Sequence, residues 1–317
     1  RPSLMPTHTD PGSSRRSQAI VAASAALTGL SMLYIFLRVD WMQLAGTELA
    51  IDWLMLAVGI LCIIGVYLVS SLRWMLLFQG QLGFPAACLV VFIGHALNAI
   101  LPARGGDVVK LLYLQSAWGI NLGRGAARLV LEKTLDLIVV VLVALVAWSA
   151  LQSGRLAQLS VPLCLAFSLI LLLLAARKFP ATLGLVLRRL WSGLGSSEQF
   201  SQRQEATLHE FSRLLNSRNA VLAAALTLAI WFLLEYVFVT LITGSVQISL
   251  NYSSALLIIA CGALSVGIPS APAGIGVYHA AVMGAFELLG YPAEQGLIAA
   301  TLLHLANTIP VLVLGGG

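Results

Sequence analysis

Charge is scarce in this chain. Only 10% of its 317 residues are charged, against about 25% in an ordinary soluble domain. With 59% hydrophobic residues and a mean hydropathy of +0.93, a water-soluble core has no room for the apolar surface, and a bilayer is the solvent that accepts it. Cysteine is sparse too. Cys62, Cys88, Cys164 and Cys261 lie in apolar runs at wide spacing with no CxxC, which argues against zinc and redox motifs. No P-loop, zinc-ligand pattern, Ser-His-Asp order or DxD pair is evident. No catalytic residue, metal or cofactor is therefore expected. The net charge of +5 is not a nucleic-acid signature. Most of the Lys and Arg sit in two polar segments, where they set membrane topology.

What the chain has is apolar length. A spanning helix needs roughly 20 mostly apolar residues, and the runs 18–37, 52–78, 126–151, 160–176, 219–243 and 294–314 qualify. Two further pairs, 86–101 with 108–118 and 253–268 with 277–289, are shorter and broken by Pro and Gly. Residues 1–17 are polar, hold Arg15 and Arg16, and read as a cytoplasmic tail before an uncleaved first helix. Residues 18–317 read as a single transmembrane domain. The polar stretch 177–218 carries seven basic residues, from Arg177 to Arg218, and is placed in the cytoplasm by the positive-inside rule. Counting spans outward from it puts the N-terminus in the cytoplasm as well. Within that stretch, Phe200, Leu208, Phe211 and Leu215 have the spacing of an amphipathic surface helix.

The two broken segments resemble each other. Each is an apolar run, a Pro/Gly-rich turn, an apolar helix, a Gly link and a spanning helix. Gly105 matches Gly274 at an offset of 169 residues. Gly119, Gly125, Lys133 and Asp136 match Gly290, Gly296, His304 and Asn307 at 171. The run 86–101 reaches only about 24 Å as a helix. The expectation is an all-α, polytopic bundle with two inverted repeats, about 86–151 and 253–317. Each repeat contains a re-entrant helical hairpin whose turn lies deep in the membrane. Irregular backbone at that depth is tolerated where it lines a cavity, and transporters are built this way.

Charged side chains in hydrocarbon cost roughly 2.5–3.5 kcal/mol on insertion scales. The first repeat nevertheless holds Arg104, Asp107, Lys110, Arg128, Glu132, Lys133 and Asp136. The second holds His279, Glu287 and His304, with Tyr278 and Asn307, and Glu235 lies in run 219–243. Glu132 and Asp136, four apart, share a helix face. Two readings are open. Either Arg104, Lys110, Lys133 and Arg128 hold a phosphate in a polar cavity, or the charges form an internal ion-pair network that locks helices together. Glu235 and Glu287 are candidates for proton coupling.

At these residues the chain resembles the lysylphosphatidylglycerol synthetase/flippase transmembrane family. The resemblance rests on the turn LPARGGDVVK, the helix LVLEKTLDL, the segment PSAPAGIGVYH and the terminal IPVLVLGG. It implies a bacterial inner-membrane protein that flips or transports lipids, aminoacylated phosphatidylglycerol among them. It carries roles onto Asp107, Lys110, Glu132 and Lys133 in the first motif and Gly274 and Gly276 in the second. Lys133 and His304 stand where the family often has Arg, and His279 where it often has Glu, so this cavity is less acidic. The expected partners are membrane lipids with an anionic or phosphate-containing headgroup, with homo-oligomerisation open. The competing readings are a membrane-embedded glycosyl or aminoacyl transferase and a proton-coupled small-solute transporter. The transferase reading is disfavoured because the longest polar segment, 177–218, is too short for a synthetase domain.

Overall fold

The computed structural model describes residues 11–101, 105–151, 217–268 and 270–316. The expected span 160–176, the amphipathic segment 196–215 and Arg104 lie outside them. Every element among the described residues is helical. The order is α1 (Pro11–Arg38), α2 (Trp41–Ala45), α3 (Trp53–Leu77), α4 (Phe84–Ile100), α5 (Gly105–Trp118) and α6 (Leu122–Leu151). Then come α7 (Arg218–Gly244), α8 (Tyr252–Val266), α9 (Val277–Leu288) and α10 (Ala293–Gly316).

The helix starts are written in the sequence. Asp52 caps α3 by accepting from the Leu54 and Met55 amides, each at 3.0 Å. Asn251 caps α8 by accepting from Ser254 N at 2.8 Å. Ser217 caps α7 through Ala220 N. Each such cap contributes about 1 kcal/mol by satisfying a donor that the helix leaves open. Helix α4 starts at Gly83 with Pro85 in its first turn, where a missing amide hydrogen costs nothing.

Helix α7 is not uniform. A π-helical turn, Ile230–Leu234, separates its two α-helical parts and ends at Glu235. Between α8 and α9 the chain makes a tight turn. Its 3-10 segment, Pro272–Gly274, puts Ala273 at φ 56° and Gly274 at φ 74°, and Gly276 follows at φ 87°. Glycine accepts this region freely, whereas Ala273 pays a steric penalty there.

Among the described residues, four segments are long and apolar enough to cross a membrane: Val21–Arg38, Trp53–Leu77, Arg218–Gly244 and Ala293–Gly316. Helices α4 and α8, at 17 and 15 residues, reach only about 25 and 22 Å. Large apolar side chains face outward around the bundle, with Leu37 at 71%, Leu54 at 75% and Val313 at 69% exposure. That surface suits hydrocarbon and not water.

The core runs through α3, α4, α6, α7, α8 and α10, with Trp74, Phe78, Val90, Val143, Ile242, Leu256 and Leu303 wholly buried or nearly so. Helix α4 packs on α5 and α10, α6 packs on α8, α8 and α10 both pack on α9, and α3 packs on α4 and α7. Helix α1 is peripheral. Only 6% of its spanning segment is buried, and it leans on α9 through Ile35, Val39 and Met283.

Polar contacts define two rims. At one, Arg128 Nε donates to Leu77 O at 3.0 Å and Asn219 Nδ2 to Leu76 O at 2.9 Å, joining the end of α3 to the starts of α6 and α7. At the other, Asp52 N donates to Ser245 O at 2.8 Å, Asp40 N to Glu294 Oε1 at 2.6 Å, and Arg38 pairs with Glu287. That rim holds the end of α1, the start of α3, the end of α7, the end of α9 and the start of α10.

Candidate functional site

Among the described residues, two polar centres lie inside the bundle. The first is a buried ion network organised by Arg73 of α3, whose side chain is 3% exposed. Its Nη2 lies 3.0 Å from Glu132 Oε1 and its Nη1 2.6 Å from Asp136 Oδ1, both on α6. Thr227 of α7 accepts from Nη1 at 2.9 Å, and Trp231 Nε1 donates to Asp136 Oδ1 at 3.1 Å. Lys110 of α5 sits with its ammonium 3.4 Å from the centroid of the Trp74 ring and 3.6 Å from Glu132 Oε2. Lys133 approaches Asp107 at 3.9 Å. Asp107 is also held by Asn98, which donates to its carboxylate and accepts from its amide at 3.2 Å each.

The charges in this network balance. Among the described residues, Arg73, Lys110 and Lys133 stand against Glu132, Asp136 and Asp107. Pairing is what makes burial of such groups tolerable. Among the described residues, three buried atoms of this network lack hydrogen-bond partners: Arg73 Nε, Trp74 Nε1 and Glu132 Oε2. Arg128 is outside this cluster. It caps α3 and places its guanidinium 4.7 Å over Phe78. These contacts join α3, α5, α6 and α7.

The second centre is a cavity of about 110 Å3. The end of α4 contributes His95, Asn98 and Leu101. The turn before α9 contributes Ser270, Ala271, Ala273 and Gly274. Tyr67 of α3, Tyr278 of α9 and His304, Asn307 and Thr308 of α10 complete the walls. Tyr67 OH donates to Asn307 Oδ1 at 2.5 Å. Two edge-to-face aromatic pairs flank the space, Tyr67 with His95 at 4.9 Å and Tyr278 with His304 at 5.1 Å. The His279 ring stacks on His304 at 4.9 Å, and its Nδ1 is buried without a partner. Pockets that enclose small-molecule ligands run to roughly 300–1,000 Å3, so this one is smaller than most.

The expected site residues thus divide. Gly274 and His304 line the cavity and His279 backs it. Gly276 lies beside it, facing Met32 and Thr28 of α1. Asp107, Lys110, Glu132, Lys133 and Asp136 belong to the ion network. Glu235 is half-buried on α7 directly after the π turn. Glu287 is not a free buried acid. It accepts from Tyr34 OH and pairs with Arg38, 56% exposed, at the rim. Sequence reasoning missed Arg73 as a network member, because an arginine near the end of an apolar run looks like a topology marker. The signal available was its position four residues before Leu77, inside the helix and not beyond it.

A helical bundle with spanning-length apolar elements, an outward apolar surface and interior polar centres defines a multi-pass α-helical membrane protein. The chain belongs to the family described as the lysylphosphatidylglycerol synthase TM region, whose profile matches residues 20–315. Membership ties it to a lipid-related function at the membrane. Searches of curated proteins and of solved structures give no match.

Proposed function

We propose that the protein is a flippase, moving a phospholipid or another lipid with a polar headgroup across the bacterial inner membrane. The path runs between two inverted repeats, α4–α6 and α8–α10, and the process has no chemical step. The observation that carries this reading is the shared cavity. The end of α4 and the turn before α9 line the same small space, although the helices leading to them start from opposite rims.

The packing pattern supports inversion. Exchanging the two repeats turns the α6–α8 contact into the α10–α4 contact, and both are extensive. The short helices support re-entrant hairpins, since neither α4 nor α8 spans about 30 Å of hydrocarbon. Depth supports them too. Ala271 N donates to Thr28 Oγ1 at 3.1 Å, and Thr28 is about 15 Å along α1 from Arg38. Asp107 meets Lys133, about 16 Å along α6 from its start. With the N-terminus in the cytoplasm, the rim of Leu76, Leu77 and Arg128 is cytoplasmic and that of Arg38 and Glu287 is outside.

Movement is downhill, or driven by protons or membrane potential. Glu235 is the candidate coupling acid, since a π turn before an interior carboxylate is a feature of functional helices. The test is lipid scrambling. The purified chain in phosphatidylethanolamine/phosphatidylglycerol vesicles is expected to move labelled lipid between leaflets faster than protein-free vesicles. If no headgroup in a broad panel moves, the reading fails.

A further inference from the structure

We infer that the groove between α1 and α9 binds one membrane phospholipid with a zwitterionic, ammonium-bearing headgroup, phosphatidylethanolamine. This site lies apart from the cavity and does not rest on the transport reading.

The groove has a volume of about 590 Å3, within the range of pockets that enclose small molecules. Among the described residues, its floor is small and apolar, with Cys261 of α8 and Ala281 and Gly284 of α9. A Cβ on Gly284 would lie 3.5 Å from the Tyr34 hydroxyl. Helix α1 thus reaches α9 there through a side chain, and space is left beside that bridge. From Glu287 at the mouth to Ala281 on the floor is about 9 Å along α9, which accepts the first part of an acyl chain. A helix of a second copy fits less well. At about 10 Å across, 9 Å of it displaces roughly 700 Å3, and its apolar face would strip water from the charges at the mouth.

Those charges match a zwitterion. Arg38 gives its Nε and Nη2 to Oε1 of Glu287, at 2.9 and 2.7 Å, and Glu287 Oε2 accepts from Tyr34. A guanidinium has five N–H donors, and Arg38, more than half exposed, presents the others to a phosphate at the surface. Around it the balance is acidic. The Asp40 amide donates to Glu294 at 2.6 Å. Among the described residues at the ends of α1 and α9 and the start of α10, Arg38 is the one cation against Asp40, Glu287 and Glu294. An ammonium beside the phosphate is attracted there, whereas an anionic headgroup without a cation is repelled.

The mouth also lies at headgroup level. Arg38 ends an apolar span that begins at Val21. Exposed Trp41 follows, its indole N–H donating to Phe36 O at 3.1 Å. Tryptophan in that position marks the membrane–water interface.

The test uses the full purified chain in phosphatidylethanolamine/phosphatidylglycerol vesicles. A trace of one lipid or the other carries a diazirine on its acyl chain near the glycerol. Photocross-linking and peptide mass spectrometry read which lipid sits against α9. Label on Val277–Leu288 is expected to be at least about threefold higher from phosphatidylethanolamine, the scale of a partly exposed charge contact. Ala281→Trp fills the floor and is expected to lower that label at least about threefold, with folding checked by the unfolding midpoint. Arg38→Gln, at an exposed position, is expected to lower it by a similar factor. Equal labelling by the two lipids overturns the headgroup assignment. Labelling that survives Ala281→Trp in folded protein, or Arg38→Gln, overturns the site. Scrambling is read in the same vesicles: selective labelling without lipid movement overturns transport alone, and lipid movement with unselective labelling overturns this site alone.

Discussion

Arg73 Nη1 of α3 lies 2.6 Å from Asp136 Oδ1 of α6, with Glu132 one turn away on the other guanidinium nitrogen. One side chain thus pairs with two acids on a neighbouring helix and joins helices far apart in sequence. Replacing it with a neutral residue leaves both carboxylates without their guanidinium. Arg73→Met is expected to destabilise the protein by about 3–5 kcal/mol, the cost of breaking a buried pair from one side. Loss of folded yield in mild detergent, or a lowered unfolding midpoint, measures it. The double variant Arg73→Met, Asp136→Asn removes one charge of each sign, leaves Glu132 to Lys110, and is expected to recover most of that loss. If the single and double variants are equally unstable, the ion pairing is not what matters.

Lys110 and Lys133 stand in sharp contrast although both belong to the same cluster. Lys110 is 2% exposed, lies on the Trp74 ring and faces Glu132. Lys133 is 34% exposed and 3.9 Å from its acid. Lys133→Ala is expected to change stability by less than about 1 kcal/mol, as exposed pairs do. Lys110→Ala opens a cavity and strands Glu132 Oε2, with an expected loss of about 3 kcal/mol or more. Equal effects in a chemical or thermal unfolding comparison contradict this placement.

Much of this was legible in the chain. Composition alone gave the solvent. Pro and Gly marked the breaks 101–105 and 267–276 because they forbid or relieve particular backbone angles. Other features had no local signal. No Gly or Pro announces the π turn at Ile230–Leu234. The partner of Glu132 and Asp136 is about 60 residues away on another helix, and no spacing rule reaches it. The basic residues near the first turn left a phosphate site and an ion-pair network both open, because sequence shows charges but not their pairing. The structure commits Lys110 to Glu132 and Lys133 to Asp107, and it sets polar groups around the cavity.

The contact between α4 and α5 depends on Gly106. A Cβ built there lies 2.5 Å from Asn98 N and 2.7 Å from Asn98 Oδ1, and the backbone of α4 cannot yield as a flexible side chain can. Asn98 also holds Asp107. Gly106→Ala is therefore expected to push the helices apart, at a cost of about 1–3 kcal/mol, and to release Asp107 toward solvent. Unfolding curves read the first effect. If Gly106→Ala is as stable as the parent, the close approach of α4 and α5 is not required by the fold.

At about 110 Å3 the cavity is smaller than a headgroup pocket, so the proposed transport requires the two turns to part. Leu101 stands at the end of α4 and Ala273 in the turn before α9, and both line the cavity. The double variant Leu101→Cys, Ala273→Cys, built on a chain whose four native cysteines are replaced by serine or alanine, can be joined by a short bifunctional thiol reagent. Cross-linking is expected to reduce lipid movement to the protein-free level, and cleavage of a reducible linker to restore it. Each single-cysteine variant treated the same way is expected to keep its rate, which separates restraint from simple blockage of the cavity. Undiminished transport in the fully cross-linked protein means that lipid travels by a route that does not separate these turns, most directly along the exposed face of α1.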